Sequence, residues 1–381
     1  MSGVCRGDGE PRGQALSHKG STSAPANAFE NYDLKGEAPG ARDPRVRFAF
    51  EFPELLATFK PIDHKAMLAR KSSRRSGILA VIFVLGALMI ASAGPILPHM
   101  DHEWHNVIGY VSTGIGLVGA LLGFLGIHKG SARRKWLRAR LQTEVMRLFH
   151  FHYMAARLPE LASVNGDPAR EAAYIARRAA AFADLKKGPL ANPEEELKKI
   201  EAREQAFGPD DVVPEMPVQG TEDPEAAEAV FVAWRSLRFD WQLGYCDAKL
   251  ADKGTKGRFS SKQTEHGFAV FAWSCIGLLV AMHLIQLFSE ALHLEKAWLE
   301  VIVVWTALAA LAARALEDGL QPQRDVERYE QYRANILVAR ERLAQATSLT
   351  GKLEVIRAFE RNSLEEMRVF MRTHGRARFL L

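Results

Sequence analysis

The chain has 381 residues, a formal charge of +5 and a pI near 9.0. The length predicts two or three domains, and a mean hydropathy of −0.12 indicates apolar segments beside a large charged portion. Lysine and arginine crowd the flanks of the apolar runs, where anionic lipid headgroups explain them, so we expect no nucleic acid as a partner. The cysteines Cys5, Cys246 and Cys275 are scattered without metal-ligand spacing, which argues against a disulfide framework.

The first 45 residues are rich in Gly, Pro, Ser and charge, which predicts a disordered N-terminal tail over 1–45. After it, Phe48, Phe50 and Phe52 alternate like a short strand, which Pro53 would end. We favour a simpler interpretation, a surface-packing segment before the membrane. We place the first domain at residues 46–187.

Two uncharged runs, 77–97 and 106–127, dominate this first domain. They contain 21 and 22 residues, and at about 1.5 Å per residue each makes a helix of roughly 32 Å, enough to cross a hydrocarbon core of about 30 Å. Only a helix satisfies its own backbone groups in lipid, and the short connection at 98–105 permits only an antiparallel turn. The sequence therefore predicts a transmembrane helical hairpin in a lipid bilayer.

The charges around this hairpin predict its orientation. Five Lys or Arg residues lie in 65–75, none lies in the turn at 98–105, and six lie in 129–140. Because positively charged flanks stay in the cytoplasm, both termini should be cytoplasmic, in a multi-pass protein of the cell (inner) membrane.

Glycines mark one face of the second span. Gly116, Gly119, Gly123 and Gly126 are spaced three, four and three residues apart, so they share a helix face that another backbone can approach closely. Two interpretations stay open: packing within the hairpin against Gly86, Ala87 and Ala91, or contact between subunits of a homo-oligomer.

Long cytoplasmic helices should follow the hairpin. An amphipathic pattern predicts a helix over about 131–158, in which Arg140 can pair with Glu144 at i, i+4 and Glu144 with Arg147 at i, i+3. Another helix is predicted over 170–187. Residues 188–224 look like a Pro-rich linker with a short charged helix, capped at Asn192.

The second domain, 225–381, repeats the arrangement. A helix over about 225–250 precedes two further candidate spans, 267–289 and 297–313, and helices follow over 324–346 and 351–373, with Gly351 marking a break. Glu360 falls within the apolar stripe of the last helix, where a carboxylate is more often paired with an arginine of a neighbouring helix than catalytic. The predicted fold class is thus an all-α integral membrane protein with two hairpins (four spans), each followed by long cytoplasmic helices.

Motifs for known chemistry are lacking in the sequence. It contains no phosphate loop, dinucleotide fingerprint, nucleophile elbow, HExxH or CxxC, so we expect no catalytic residues and no cofactor. The outer turn carries His99, His102 and His105 beside two carboxylates, a set that could bind a divalent metal. An exposed flexible turn with Trp104 as an interface anchor explains the same residues, and we favour that alternative.

Three segments together resemble the SLATT superfamily, the SMODS- and SLOG-associating two-transmembrane effector domains of prokaryotic conflict systems. They are the start of the helix after the second span, the segment RFDWQLGYCDAK before the third span, and the Leu-x-Glu-x3-aromatic-x3-His ending of the last helix, in which Phe370 stands where the family often has Trp. The signature positions are Trp136, Arg140, Glu144, Arg147, Arg238, Gln242, Tyr245, Lys249, Leu364, Glu366, Phe370 and His374. The resemblance implies a membrane effector that oligomerises and perturbs or permeabilises the membrane on a nucleotide-type or infection signal.

Two functions therefore compete. The first is a membrane-perturbing effector of an anti-phage system, acting as a homo-oligomer with a signalling or sensor protein encoded nearby as a further candidate partner. The second is a non-conducting membrane adaptor or sensor that docks a cytoplasmic partner. An enzyme has no group of residues in its favour.

Overall fold

The structure, a computed structural model, describes residues 34, 43–94, 102–128, 131–164, 166–188, 190–204, 223–252, 260–288 and 296–377. For 102–106, 122–128, 131 and 296 it describes the backbone alone. This part of the chain is about 90% helical and contains no strand, so the predicted all-α class is confirmed. Most of the predicted tail at 1–45 and about half of the linker at 188–224 lie outside the described residues.

Helices follow one another along the whole described chain. Their bounds are α1 (Arg47–Phe50), α2 (Pro53–Ser92), α3 (His102–His128), α4 (Ser131–Ala156), α5 (Leu158–Ala162), α6 (Pro168–Lys187), α7 (Pro193–Ala202), α8 (Pro224–Trp234), a π-helix (Arg235–Asp240), α9 (Trp241–Leu250), α10 (Ser261–Leu287), α11 (Lys296–Leu320), α12 (Pro322–Gln345) and α13 (Leu349–Arg376).

Three helical segments of the described chain are long and apolar enough to cross a membrane. They lie in α2, in α10 and in the segment that begins with α11. In α3 a shorter apolar stretch is described, Val107–Leu121. These helices make the chain a membrane protein by length and composition.

Side chains before the helices fix several of their first turns. Asp167 accepts hydrogen bonds from the backbone of α6, Asp223 from Ala226 N, and Ser348 from Gly351 N. Ser260 forms a capping box with Gln263 at the start of α10. Each cap satisfies amides that have no partner inside the helix, a contribution of about 1 kcal/mol.

The strand-like alternation of Phe48, Phe50 and Phe52 was misleading, because the chain forms helix α1 there. Arg178 of α6 decides the local structure: it is buried and donates to the carbonyls of Phe48, Ala49 and Glu51. These carbonyls lie at the end of α1, where the helix has no backbone N–H groups of its own to donate to them. A contact about 130 residues away in sequence thus overrides the alternating pattern.

Two other local predictions also differ from the structure. Gly351 does not break the chain, since the helices separate at 346–348 and Gly351 lies in the first turn of α13. Asn192 does precede α7, but its side chain makes no capping hydrogen bond.

The apolar helices pack side by side, with α2 between α3 and α11, and with α10 against α11. On one side of α2, Ser112 Oγ of α3 donates to Ala87 O at 2.9 Å. On the other side, Trp305 Nε1 of α11 donates to Met89 O and Ser92 Oγ, both at 3.0 Å. Met89 and Ser92 belong to the last turn of α2, so Trp305 attaches α11 to the C-terminal end of that helix.

The charged helices enclose one core. Trp234, Phe239 and Phe359 stack edge to face, with ring centroids 4.8 Å apart for Trp234–Phe239 and for Phe239–Phe359. The same core includes residues of α4 and α6. Both halves of the chain therefore contribute to a single packed unit, which we call the helical unit.

Candidate functional site

A cavity of about 310 Å³ lies inside the helical unit. This is at the lower end of the range of small-molecule sites, about 300–1,000 Å³. Five helical segments form its wall, each through residues three or four positions apart that share one helix face. The lining residues are Asp63, Ala66, Met67 and Arg70 of α2; Trp136, Arg140, Glu144, Arg147 and Leu148 of α4; Arg238, Trp241, Gln242, Tyr245 and Lys249 of the π-helix and α9; Arg328, Tyr329 and Tyr332 of α12; and Ser363, Leu364, Glu366, Met367 and Phe370 of α13.

The sequence signature after the second span lies on this wall. Glu144 pairs with Arg140 and with Arg147, whose Nη1 lies 2.8 Å from both carboxylate oxygens. Burial by itself raises the pKa of Glu144, but the charges of Arg140 and Arg147 outweigh it and lower the pKa to about 2. Glu144 therefore stays ionised and holds two arginines at the cavity.

The π-helix brings Arg238 to the cavity. Its Nε and Nη2 donate to the two oxygens of Glu360, each at 2.9 Å, and the two side chains are 5% and 0% exposed. Burial lowers the pKa of Arg238, but the Glu360 carboxylate outweighs it and raises the pKa above the usual value. Arg238 belongs to the π-helix Arg235–Asp240, and short π-helical turns are frequent at functional sites.

The segment before the third span contributes Gln242, Tyr245 and Lys249. Tyr245 and Tyr329 share a hydrogen bond of 3.3 Å between their hydroxyls, and Lys249 Nζ lies 5.5 Å from the Tyr245 ring. The pKa of Lys249 is lowered chiefly by burial, and the charge of Arg70 contributes.

The ending of the last helix completes the wall. Glu366 pairs with Arg328 at 2.6 Å, and Phe370 packs edge to face on Trp136 with centroids 5.7 Å apart. His374 lies just behind the cavity, 5.2 Å from the Trp136 ring.

A group of largely buried charged residues centred on Asp325 contacts His374. Its Nε2 is 3.3 Å from Asp325 Oδ1, and Asp325 also contacts Arg328 and Arg74. Burial raises the pKa of Asp325 by itself, but the hydrogen bond from His374 and the charge of Arg328 lower it to about 2. The pKa of Arg74 is lowered to about 10, mainly by burial and then by Arg70.

The three signature segments thus meet at one place, although the first and the last are more than 200 residues apart in sequence. Eleven of the twelve signature positions line the cavity, and the twelfth, His374, is adjacent to it. Sequence reasoning missed Arg70, Tyr329, Tyr332, Trp241 and Arg328. The signal was present for Arg70, whose spacing from Asp63, Ala66 and Met67 defines one helix face, but its position among basic residues favoured a membrane flank.

The other predicted residues lie elsewhere. His99 lies outside the described residues, and His102 and His105 are described only as backbone of α3. Among the described residues no group of His, Cys, Asp and Glu could hold a metal ion.

Two of the four glycines face α2. A Cβ at Gly119 would lie 2.8 Å from Val84 Cγ2 and 2.9 Å from Val84 N, and one at Gly116 would lie 3.3 Å from the Ala87 Cβ. Gly123 and Gly126 belong to the part of α3 described as backbone alone. At Gly116 and Gly119 the close approach is therefore within the chain.

We expect Gly119→Ala to destabilise the chain, because its methyl group would overlap the backbone of α2. Overpacking of this kind costs about 1–3 kcal/mol. Gly114→Ala is the matched control on the same helix, since nothing lies within 4 Å of a Cβ there. Thermal unfolding in detergent should show a lower midpoint for Gly119→Ala and no loss for Gly114→Ala; equal behaviour would contradict the packing.

Comparison of the chain with known protein families, with curated proteins and with solved structures finds no match.

Proposed function

We propose that this chain is a signal-responsive membrane effector of a prokaryotic conflict system, in which the helical unit controls the apolar helices and membrane perturbation is the output. The observation that carries the proposal is the continuity of α2. Its 40 residues begin in the core of the helical unit, pass the cavity wall at Asp63 to Arg70, and end at Ser92. A change at the cavity therefore acts directly on a helix long enough to span the membrane.

The contacts of α2 support this role. It packs against both α3 and α11, and the Trp305 hydrogen bonds tie α11 to its last turn. A displacement of α2 is consequently shared with helices from both halves of the chain.

Four spans in two hairpins, with both termini cytoplasmic, are part of the proposal. The contacts of Ser112 with Ala87 and of Gly119 with Val84 fit an antiparallel first hairpin. The positive flanks favour this orientation in an inner membrane. The helical unit and its cavity would then lie in the cytoplasm.

The apolar helices contact one another in the order α3, α2, α11, α10. We propose assembly into a homo-oligomer because apolar side chains are exposed on the two outer helices, α3 and α10. Leu117 of α3 is 70% exposed and Trp273 of α10 is 72% exposed. In a membrane such side chains contact lipid or further copies of the chain. The convergence of the SLATT-like positions on one cavity supports an assignment to that superfamily, whose members are proposed to act in this way.

The test is induced expression of the full chain in bacteria with a membrane-potential dye. We expect depolarisation under a triggering condition such as phage infection. Trp305→Phe keeps an aromatic ring but removes the single N–H that donates to both acceptors on α2, a contribution of about 0.5–1.5 kcal/mol in total. The response should therefore fall about three- to tenfold at matched protein level.

Trp273→Phe on α10 is the control, because this exposed ring makes no hydrogen bond to another helix in the described chain. It should depolarise as well as the unaltered chain. A constant membrane potential under every trigger, together with a stable partner on pull-down, would favour the adaptor function instead.

A further inference from the structure

Arg70 stands out among the charged residues of the cavity. Its Nε is shielded from solvent yet has no hydrogen-bond partner, and its guanidinium lies 5.6 Å from the Trp136 ring centroid. It forms no ion pair with any carboxylate in the described part of the chain. Arg70 is half-buried, and a shielded guanidinium donor without an acceptor is costly unless an anion accepts from it.

The carboxylates around the cavity are mostly engaged with other arginines. Glu144 holds Arg140 and Arg147, Glu366 holds Arg328, and Glu360 holds Arg238 from behind the wall. Asp63, two turns before Arg70, is the third carboxylate of the lining, and it too has an interaction within the chain. The lining contains six basic and three acidic residues, and adding Glu360 leaves an excess of two positive charges.

The positive charge of Arg70 also affects neighbouring basic groups. Burial lowers the pKa of Lys249 and of Arg74, and in both cases the charge of Arg70 lowers it further. Arg70, Arg74 and Lys249 therefore act within one region of positive potential at the α2 side of the cavity.

We propose that this cavity binds a phosphate-bearing ligand, with Arg70 of α2 and Lys249 of α9 neutralising its charge. A phosphate monoester carries nearly two negative charges and several acceptor oxygens near pH 7, which matches the excess of two positive charges. Guanidinium groups suit phosphate because their donors form a planar fork. The Gln242 amide and the Ser363 hydroxyl on the wall offer further polar contacts.

The ligand would bridge the two halves of the chain. Arg70 belongs to the helix that continues into the first apolar run, whereas Lys249 lies before α10. Binding between them would draw α2 and α9 together, which gives the proposed control of the apolar helices a chemical trigger. The inference uses the proposed function only in this consequence, since binding follows from the cavity alone.

Two sources of phosphate share this chemistry. Arg70 is seven residues before Gly77, where the first uncharged run begins, a distance of about 10 Å along the helix. The headgroup of an anionic lipid would therefore lie at about the same height along α2 as the cavity. A soluble phosphate ester is the other source. The experiment has one arm for each.

The full chain is purified and placed in phosphatidylcholine nanodiscs. In the first arm, glycerol 3-phosphate and inorganic phosphate are titrated while intrinsic tryptophan fluorescence is followed, because two of the seven tryptophans, Trp136 and Trp241, line the cavity. In the second arm, nanodiscs containing phosphatidate are compared with phosphatidylcholine alone, and retained lipid is measured by native mass spectrometry. We expect saturable binding in one arm, weakened about tenfold or more by Arg70→Gln and by Lys249→Gln.

Lys71→Gln is the matched control, since this exposed neighbour carries the same charge at the same height of α2 but does not line the cavity. It should change binding by less than about twofold, because an exposed charge is screened. Binding in neither arm, or equal weakening by Lys71→Gln and Arg70→Gln, overturns the proposal. If Arg70→Gln fails to fold by circular dichroism, Lys249→Gln decides. Because no membrane potential is measured, this result is independent of the depolarisation test.

Discussion

Glu360→Ala is expected to lower the free energy of unfolding of the helical unit by about 3–5 kcal/mol. The substitution leaves Arg238, which is 4% exposed, without the carboxylate that accepts from its Nε and Nη2. An isolated charge in such surroundings is far more costly than the loss of one hydrogen bond, because the guanidinium cannot lose its proton. Chemical denaturation in detergent, followed by circular dichroism, measures the effect.

Two variants separate the charge effect from other causes. Glu354→Ala makes the same change on the exposed face of α13 and should stay within about 0.5 kcal/mol of the unaltered chain. The double variant Arg238→Met with Glu360→Met removes both charges and should recover much of the loss. If the double variant is as unstable as Glu360→Ala, the unpaired charge is not the cause.

Acidification should destabilise the chain through His150. This ring is 1% exposed, and neither of its nitrogens has a hydrogen-bond partner. Its ring lies against Phe52 and Phe151, with centroids 6.5 and 5.0 Å away. Burial, reinforced by the charge of Arg178, lowers the pKa of His150 to about 3.

The lowered pKa sets the sign and the pH range of the effect. Below about pH 6.5 the His150 side chain binds a proton in the unfolded chain, whereas in the folded chain it does so only near pH 3. The free energy of unfolding therefore decreases as the pH falls from 6.5 toward 3. The loss is about 1.4 kcal/mol per pH unit, or about 2 kcal/mol at pH 5.

His150→Phe should flatten this dependence between pH 6.5 and 5, because phenylalanine has no proton to bind and keeps the aromatic packing. His64→Gln, at an exposed position of α2, should leave it unchanged. Unfolding free energies measured at several pH values test both. A His150→Phe variant that keeps the full slope would show that other groups cause it.

The sequence predicted the helices that form the candidate site, but not which of their residues contact one another. Periodicity placed Arg140, Glu144 and Arg147 on one helix face, and it indicated that Glu360 pairs with an arginine of another helix. It could not name Arg238 as that partner, because the choice depends on how α13 packs against a π-helix, whose i→i+5 geometry departs from the α-helical period on which the prediction rested.

Local patterns failed where distant contacts decide. The alternation at Phe48 to Phe52 is typical of a strand, but the segment forms a short helix whose carbonyls accept from Arg178 of α6. Likewise, the basic residues before the first span looked like a membrane flank in which all members are equivalent. Packing distinguishes them: Arg70 faces the cavity, while Lys71 faces solvent.

The length of α2 has a mechanical consequence. From Arg70 to Ser92 the helix extends about 33 Å, so a tilt of only about 5° at the cavity moves its far end by about 3 Å. That is about the diameter of a water molecule, and the hydrogen bonds of Trp305 would carry α11 along with it. Such a lever needs no large rearrangement. A small change in the spacing of side chains around a bound anion would displace the far end of α2 by about the width needed to admit a water molecule.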